Sequence, residues 1–150
     1  MNGRSALERL VGTWDFESSV EGRFMGRGWT TFEWIQDGAF IAQQADDEPS
    51  ADSPADWVAH SPMPVRSIIG FDDTTGDVAM LYADARGVFR IYRMRVTDEA
   101  WTVWRDAPDF FQRFTGRFGE GRTTIDGRWE TSSDGTAWTI DFDMRYRKRT

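Results

Sequence analysis

Hydrophobic and polar positions alternate with a period of two along almost the whole chain. Successive side chains of a strand point to opposite faces, so this alternation predicts half-buried β-strands rather than helices. The runs fall at 13–19, 28–35, 40–45, 65–71, 78–83, 88–96, 100–105, 110–118, 123–131 and 137–147. Between them stand groups that turn a chain back, such as Asp37-Gly38, Ala85-Arg86-Gly87, Thr97-Asp98-Glu99 and Gly119-Glu120-Gly121. Gly and Asp accept the left-handed backbone that tight hairpins require. Helical spacing occurs only at the start, where Ser5-Ala6-Leu7-Glu8 reads as a capping box and Leu7 and Leu10 share a face. Ten short runs make a meander, either barrel or sandwich. An open ten-strand sheet would have to shield two long edges, and closure removes both. The expected fold is all-β: a single closed antiparallel up-and-down β-barrel of about ten strands with a short N-terminal helix, spanning residues 1–150 as one domain.

The faces of the runs give an expected interior. In the last run Trp138, Ile140, Phe142, Met144 and Tyr146 share one side, and Thr139, Asp141, Asp143, Arg145 and Arg147 the other. Phe110, Phe114 and Phe118 make a similar stripe, as do Ile125, Gly127 and Trp129. Trp14, Phe114, Trp129, Trp138 and Phe142 are therefore expected to point inward. Trp29 and Trp34 have opposite parity, as do Trp101 and Trp104, so some rings lie outside. Outer rings are either ordinary surface residues or the contact of a homodimer, since aromatic residues mark interface cores.

One long interruption, 46–64, holds Asp46, Asp47, Glu48, Asp52 and Asp56 without a Lys or Arg, together with Pro49, Pro54, Pro62 and Pro64. Within it Ser53-Pro54-Ala55-Asp56-Trp57 reads as an N-cap, a Pro at the first helical position and an acid in the first turn. A short helix carrying Trp57 and His60 across a barrel mouth would be a lid. The alternative is a solvated excursion anchored by Trp57.

Composition and charge narrow the function. Aromatic residues make up 15% of the chain, which excludes disorder. No apolar stretch approaches the ~18 residues of a membrane span. The start of the chain lacks an apolar signal segment, so a cytoplasmic location is expected. There is no Cys, which excludes disulfides, thiol catalysis and thiolate metal sites. Residues 1–75 hold 5 Arg against 13 Asp and Glu, a balance of −8, whereas residues 76–150 hold 13 basic and 12 acidic residues. The acidic half repels phosphate backbones, so nucleic acid is not an expected partner.

Gly12-Thr13-Trp14 after a short helix resembles the G-x-W signature that opens the first strand of lipocalins and their calycin relatives. Residues 127–138, Ile68-Ile69-Gly70-Phe71-Asp72, and Trp34 to Phe40 with its Asp37-Gly38 turn extend the likeness over nearly the whole chain. Together they resemble an uncharacterised bacterial lipocalin-like family of the calycins. The resemblance implies a closed barrel with an internal cavity, as in fatty-acid-binding proteins and nitrobindins. It departs from fatty-acid-binding proteins in lacking a helical pair between the first two strands, and it brings no established activity.

The residues offer little catalytic chemistry. His60 is the single histidine, no G-x-S-x-G elbow is present, and a solvated loop is a poor place to fix a base. One His and no Cys cannot make a zinc site. Haem, by analogy with nitrobindins, needs a His inside the barrel near the C-terminal strands, and none is there. No cofactor and no metal are expected. Asp141/Asp143 and Asp72/Asp73 read as solvated charge. The interior remains. A ten-strand barrel leaves room for a small apolar or amphipathic, fatty-acid-like ligand, lined by Trp14, Phe114, Trp129 and Phe142. Gln43 or Gln44, Arg90 or Tyr92, and Arg113 are the candidates for its polar end, depending on register. Two other classes stand beside this binding reading: a barrel enzyme (isomerase, cyclase or hydrolase) and a filled barrel that acts as an oligomeric interaction protein.

Overall fold

The computed structural model describes residues 3–150 and resolves the alternation into ten strands. They are β1 (Gly12–Val20), β2 (Arg23–Ile35), β3 (Phe40–Glu48), β4 (Val65–Phe71), β5 (Val78–Asp84), β6 (Phe89–Val96), β7 (Ala100–Arg105), β8 (Phe111–Phe118), β9 (Thr124–Ser132) and β10 (Thr139–Lys148). Each strand pairs antiparallel with the next, and β10 pairs back onto β1, closing the barrel. The all-β closed barrel with a short N-terminal helix, as expected from the alternation, is the fold observed.

Several strands reach further than the pattern predicts, β2 by the most. β2 begins at Arg23 because Glu21 and Gly22, with φ of 49° and 78°, close a two-residue hairpin at Val20 and Arg23. Positive φ at both central residues gives the turn a twist that matches its strands. Gly26 and Gly28 interrupt the apolar alternation there, yet both are buried strand positions. Their reason is space. A Cβ at Gly28 would stand 2.2 Å from the Asp46 carbonyl and 2.6 Å from the Phe16 ring.

α1 (Gly3–Leu7) begins two residues before the capping box places it, and a 3₁₀ turn, Glu8–Leu10, continues it. Its Ala6, Leu7 and Leu10 are buried against the lower barrel end, where strands β1, β3 and β5 start. The Trp14 indole, fully buried, donates from Nε1 to the Leu10 carbonyl at 2.9 Å. Glu8 ties this turn to the barrel. Its Oε1 accepts from Trp34 Nε1 at 2.5 Å, while the Arg4 guanidinium lies 4.4 Å over the Trp34 ring. The lower half of the barrel is filled by Trp14, Phe32, Ile41, Ile69, Trp101, Val103, Phe114 and Ile125, all almost without exposure.

Among the described residues no helix is long and apolar enough to cross a membrane.

Candidate functional site

The upper half of the interior has a different character. Gln43, Ser67, Tyr82 and Arg90 are direct cross-strand neighbours on β3, β4, β5 and β6. They form a polar belt on the inner surface. Two residues below it the same strands carry Ile41, Ile69, Met80 and Tyr92, again as direct neighbours and all buried. The belt thus rests on a packed floor. It continues into β7 and β8, where Arg105 pairs with Gln112.

The hydrogen bonds of this belt are specific. Gln112 Oε1 accepts from Tyr92 OH at 2.8 Å and from Arg90 Nη1 at 3.1 Å. Gln43 Nε2 donates to Thr30 Oγ1 at 3.3 Å. Tyr82 OH donates to Asp84 Oδ2 at 2.8 Å, and the Arg86 guanidinium donates to the same oxygen from Nη2 at 2.7 Å. Burial alone would raise Asp84. The Arg86 and Tyr82 donors, with the backbone N–H groups of Arg86 and Val88, hold its carboxyl below the usual range instead. Burial, then the Asp84 carboxylate, push the Tyr82 hydroxyl up. Burial also raises Tyr92, against the opposing pull of Arg90 and Arg105. Two buried atoms of the belt have no hydrogen-bond partner, Ser67 Oγ and Arg105 Nε.

Opposite the belt stands an aromatic wall of Trp129 and Phe142, rooted on the buried Phe114. The three are register neighbours across β8, β9 and β10, and the Phe114 and Trp129 ring centroids lie 5.3 Å apart. Tyr92 bridges wall and belt, 6.0 Å from Trp129. Gln43, Arg90, Trp129 and Phe142 face inward yet are only half-buried, so solvent reaches them from the upper end.

Over that end lies α2 (Ala55–Ala59), which starts one residue after the Pro expected to open it; Pro54 is the extended cap. Trp57 packs edge-on against Phe142 at 5.4 Å. Gly26 makes its notch: a Cβ there would meet Trp57 Nε1 at 3.0 Å. Ser61 Oγ donates to the Asp47 carboxylate, and Ala85 N donates to the Pro62 carbonyl, tying the segment down at both sides of the mouth. His60 does not face the mouth. It is exposed beyond the last turn of α2, with Nδ1 2.8 Å from the Asp56 carbonyl oxygen of its own helix.

The sequence-derived residues therefore divide. Gln43, Arg90, Tyr92, Phe114, Trp129 and Phe142 come together, with Trp57 above them. Trp14 is inside, but at the lower end, beyond the floor. Arg113 is on the outer surface: its Nε and Nη2 donate to Glu130 at 3.0 and 3.2 Å, and its guanidinium lies 4.0 Å over Trp138. Trp138 is outside as well. A bulge between Ile140 and Phe142 reverses the parity of β10, so Phe142, Met144 and Tyr146 face in while Ile140 is 53% exposed. Asp141 occupies the bulge, and burial raises its carboxyl. Phe110 precedes β8 and is exposed, with Arg90 5.1 Å over its ring.

Sequence reasoning missed Ser67, Tyr82, Arg105 and Gln112. The alternation Trp101, Val103, Arg105 carried the signal for Arg105, because the first two are buried core residues.

The donor set does not suit a metal or haem. Among the described residues no three His, Asp or Glu side chains gather where a cation could sit. Inside the barrel near the C-terminal strands, Tyr146 OH is hydrogen-bonded to Met144 Sδ at 3.3 Å, and burial raises the hydroxyl. That pair fills the floor and leaves no imidazole to bind haem iron. A wide concavity of about 740 Å³ lies outside the barrel over β1, β8, β9 and β10. Four of its charges pair across it, Arg128 with Asp143 and Arg145 with Asp126, and Glu130 pairs with Arg113 beside it, as in a solvated charge ladder.

No family model matches the sequence, and no curated protein does. Solved structures do match. The crystal structure of Rv2717c from M. tuberculosis is similar over 100% of this chain and 99% of its own, with a TM-score of 0.66 and 12% sequence identity. At that identity the likeness is one of fold.

Proposed function

We propose that the protein binds a small apolar or amphipathic molecule in the upper half of its barrel. One observation carries this reading: the interior is split. Below, side chains fill it; above, a polar belt with two unpartnered buried atoms faces an aromatic wall, and solvent reaches both. Ligand sites combine an apolar lining with a few convergent polar groups, and this pairing has that form. Trp57 and α2 serve as a partial cover. The reading leaves no role for Arg113. The test is displacement of a fluorescent fatty acid from the purified protein, supported by native mass spectrometry for copurified ligand. If no amphiphile binds at about tens of micromolar, an affinity near −6 kcal/mol, the binding reading falls.

A second reading rests on a different surface. Ala42, Ile68, Leu81 and Ile91 are direct neighbours on the outer face of β3, β4, β5 and β6, and the last three are 41%, 42% and 58% exposed. Such a contiguous apolar row favours association of two copies. Light scattering of wild type and of Leu81→Arg separates the two readings, because only association is sensitive to that outer position.

A further inference from the structure

We infer that the occupant of the upper interior is a compact organic anion, an aryl-sized carboxylate whose charge sits between Arg90 and Arg105. The inference rests on the binding reading and names the chemical class of the ligand.

The belt is short of negative charge. Arg90 donates to two neutral groups, Gln112 Oε1 at 3.1 Å and the Tyr92 hydroxyl at 3.4 Å. Arg105 lies beside Gln112 on the next strand, and its Nε is buried without a partner. Among the described residues neither guanidinium has a carboxylate within salt-bridge distance. The acids of the upper interior are already engaged. Asp84 accepts from Tyr82, from Arg86 and from two backbone N–H groups. Asp47, at the rim, accepts from Ser61. Two cations therefore stand in one belt, Arg90 bonded to the Gln112 amide and Arg105 on the strand paired with it, both acting on the Tyr92 hydroxyl and neither with a counter-charge. The buried Nε of Arg105 lacks an acceptor, and an incoming carboxylate supplies both that acceptor and the counter-charge the protein omits. The planar fork of Arg matches a carboxylate in two parallel hydrogen bonds.

The upper interior is also short. From the floor at Ile69 and Met80 to the strand ends at Val65 and Asp84 is four residues, or roughly 13 Å at the rise of a strand. Beneath it Phe32, Ile41, Ile69 and Phe114 leave no path down the axis. A long acyl chain laid along the barrel has nowhere to go. A flat ring system needs only the short upper part of the interior, where it would stack on Trp129 and Phe142, the ring that Trp57 covers.

Isothermal titration calorimetry with three probes tests both arguments: 2-naphthoate, its neutral counterpart naphthalene-2-methanol, and dodecanoate. The naphthoate is expected to bind at least about tenfold more tightly than the alcohol, the scale of one charge-assisted contact, and more tightly than dodecanoate. Arg105→Gln and Arg90→Gln should each erase the preference for the carboxylate over the alcohol, and Arg105→Lys should keep part of it. Arg113→Gln, on the outer surface, should change none of these. Equal binding of naphthoate and alcohol overturns the anion site while the binding reading stands. Dodecanoate bound more tightly than naphthoate overturns the size argument. Failure of all three probes removes both. Should one arginine variant not fold, the other variant and the wild-type comparison still decide.

Discussion

Replacing Trp14 by Ala tests whether the barrel is held from its lower end. The indole has no exposed surface and lies between the 3₁₀ turn and the core. A ring of this kind buries roughly 200 Å², and at about 25 cal/mol per Å² that is ~5 kcal/mol of transfer free energy. The figure is an upper bound, because a denatured chain already hides part of the ring. Large-to-small changes at aromatic core positions cost about 3–5 kcal/mol. The substitution also orphans the Leu10 carbonyl, which accepts from Nε1 at 2.9 Å, for about 1 kcal/mol more. The expected loss is therefore about 4–6 kcal/mol, a large share of the ~5–15 kcal/mol available to a domain. Urea denaturation followed by far-ultraviolet circular dichroism measures it, with a midpoint shift at unchanged slope. Trp14→Phe keeps most of the ring and loses the hydrogen bond, so it should cost only about 1–2 kcal/mol. A loss below ~1 kcal/mol for Trp14→Ala would refute the placement. Equal losses for Ala and Phe would assign the effect to the hydrogen bond rather than to packing.

Gly28→Ala should destabilise by at least about 1–3 kcal/mol, because its new methyl group meets the Asp46 backbone as well as the Phe16 ring; a neutral result in urea denaturation would contradict the close approach. Asp84 has a depressed folded-state value, so its contribution is present above the unfolded carboxyl range, near 3.9, and is lost as pH falls through the folded value. Asp84→Asn should accordingly lower the urea midpoint at neutral pH and make it flatter on the acid side, and an unchanged acid limb would count against this pairing. Asp134 takes backbone N–H bonds from Ala137 and Thr136 and one from the Ser132 hydroxyl, so in a carbon-detected nuclear magnetic resonance titration its carboxyl should be among the last to protonate on acidification. Arg113→Ala, by contrast, breaks a half-exposed ion pair and should cost no more than about 1 kcal/mol by the same denaturation measurement.

Alternation along the chain reads the architecture well because a closed meander repeats one local rule ten times. It fails where the rule is interrupted by one residue. The apolar series from Trp138 to Tyr146 looks unbroken, yet the bulge at Asp141 turns its first two members outward. Nothing in the order of polar and apolar residues marks that slip. β2 is under-read for the opposite reason: Gly26 and Gly28 resemble turn residues, and only the rings of Trp57 and Phe16 explain them. The candidate site was legible in its aromatic half, since Phe114, Trp129 and Phe142 follow from parity. Its polar half was legible in part. Gln43, Arg90 and Tyr92 stood out, but Arg105 is a charged residue at the end of a strand, and charge at such a place ordinarily means solvent. Its inward position follows only from Trp101 and Val103 being buried before it.

The closure of the barrel also bears on the order in which the molecule is made. Nine of the ten strand pairings join neighbours in sequence, and each can form as soon as its own hairpin does. The tenth, between β1 and β10, joins Trp14 to Lys148 and Ser19 to Asp143. It must wait for both ends of the chain and bears the loop-closure entropy of nearly the whole length. Until it forms, β1 and β10 are two open edges carrying unpaired backbone groups. A ribosome-bound or freshly diluted chain thus passes through a curled, nearly complete sheet whose exposed edges can capture each other or another molecule. The zipping of this seam, where Arg149 also reaches Asp15, ends that vulnerable interval.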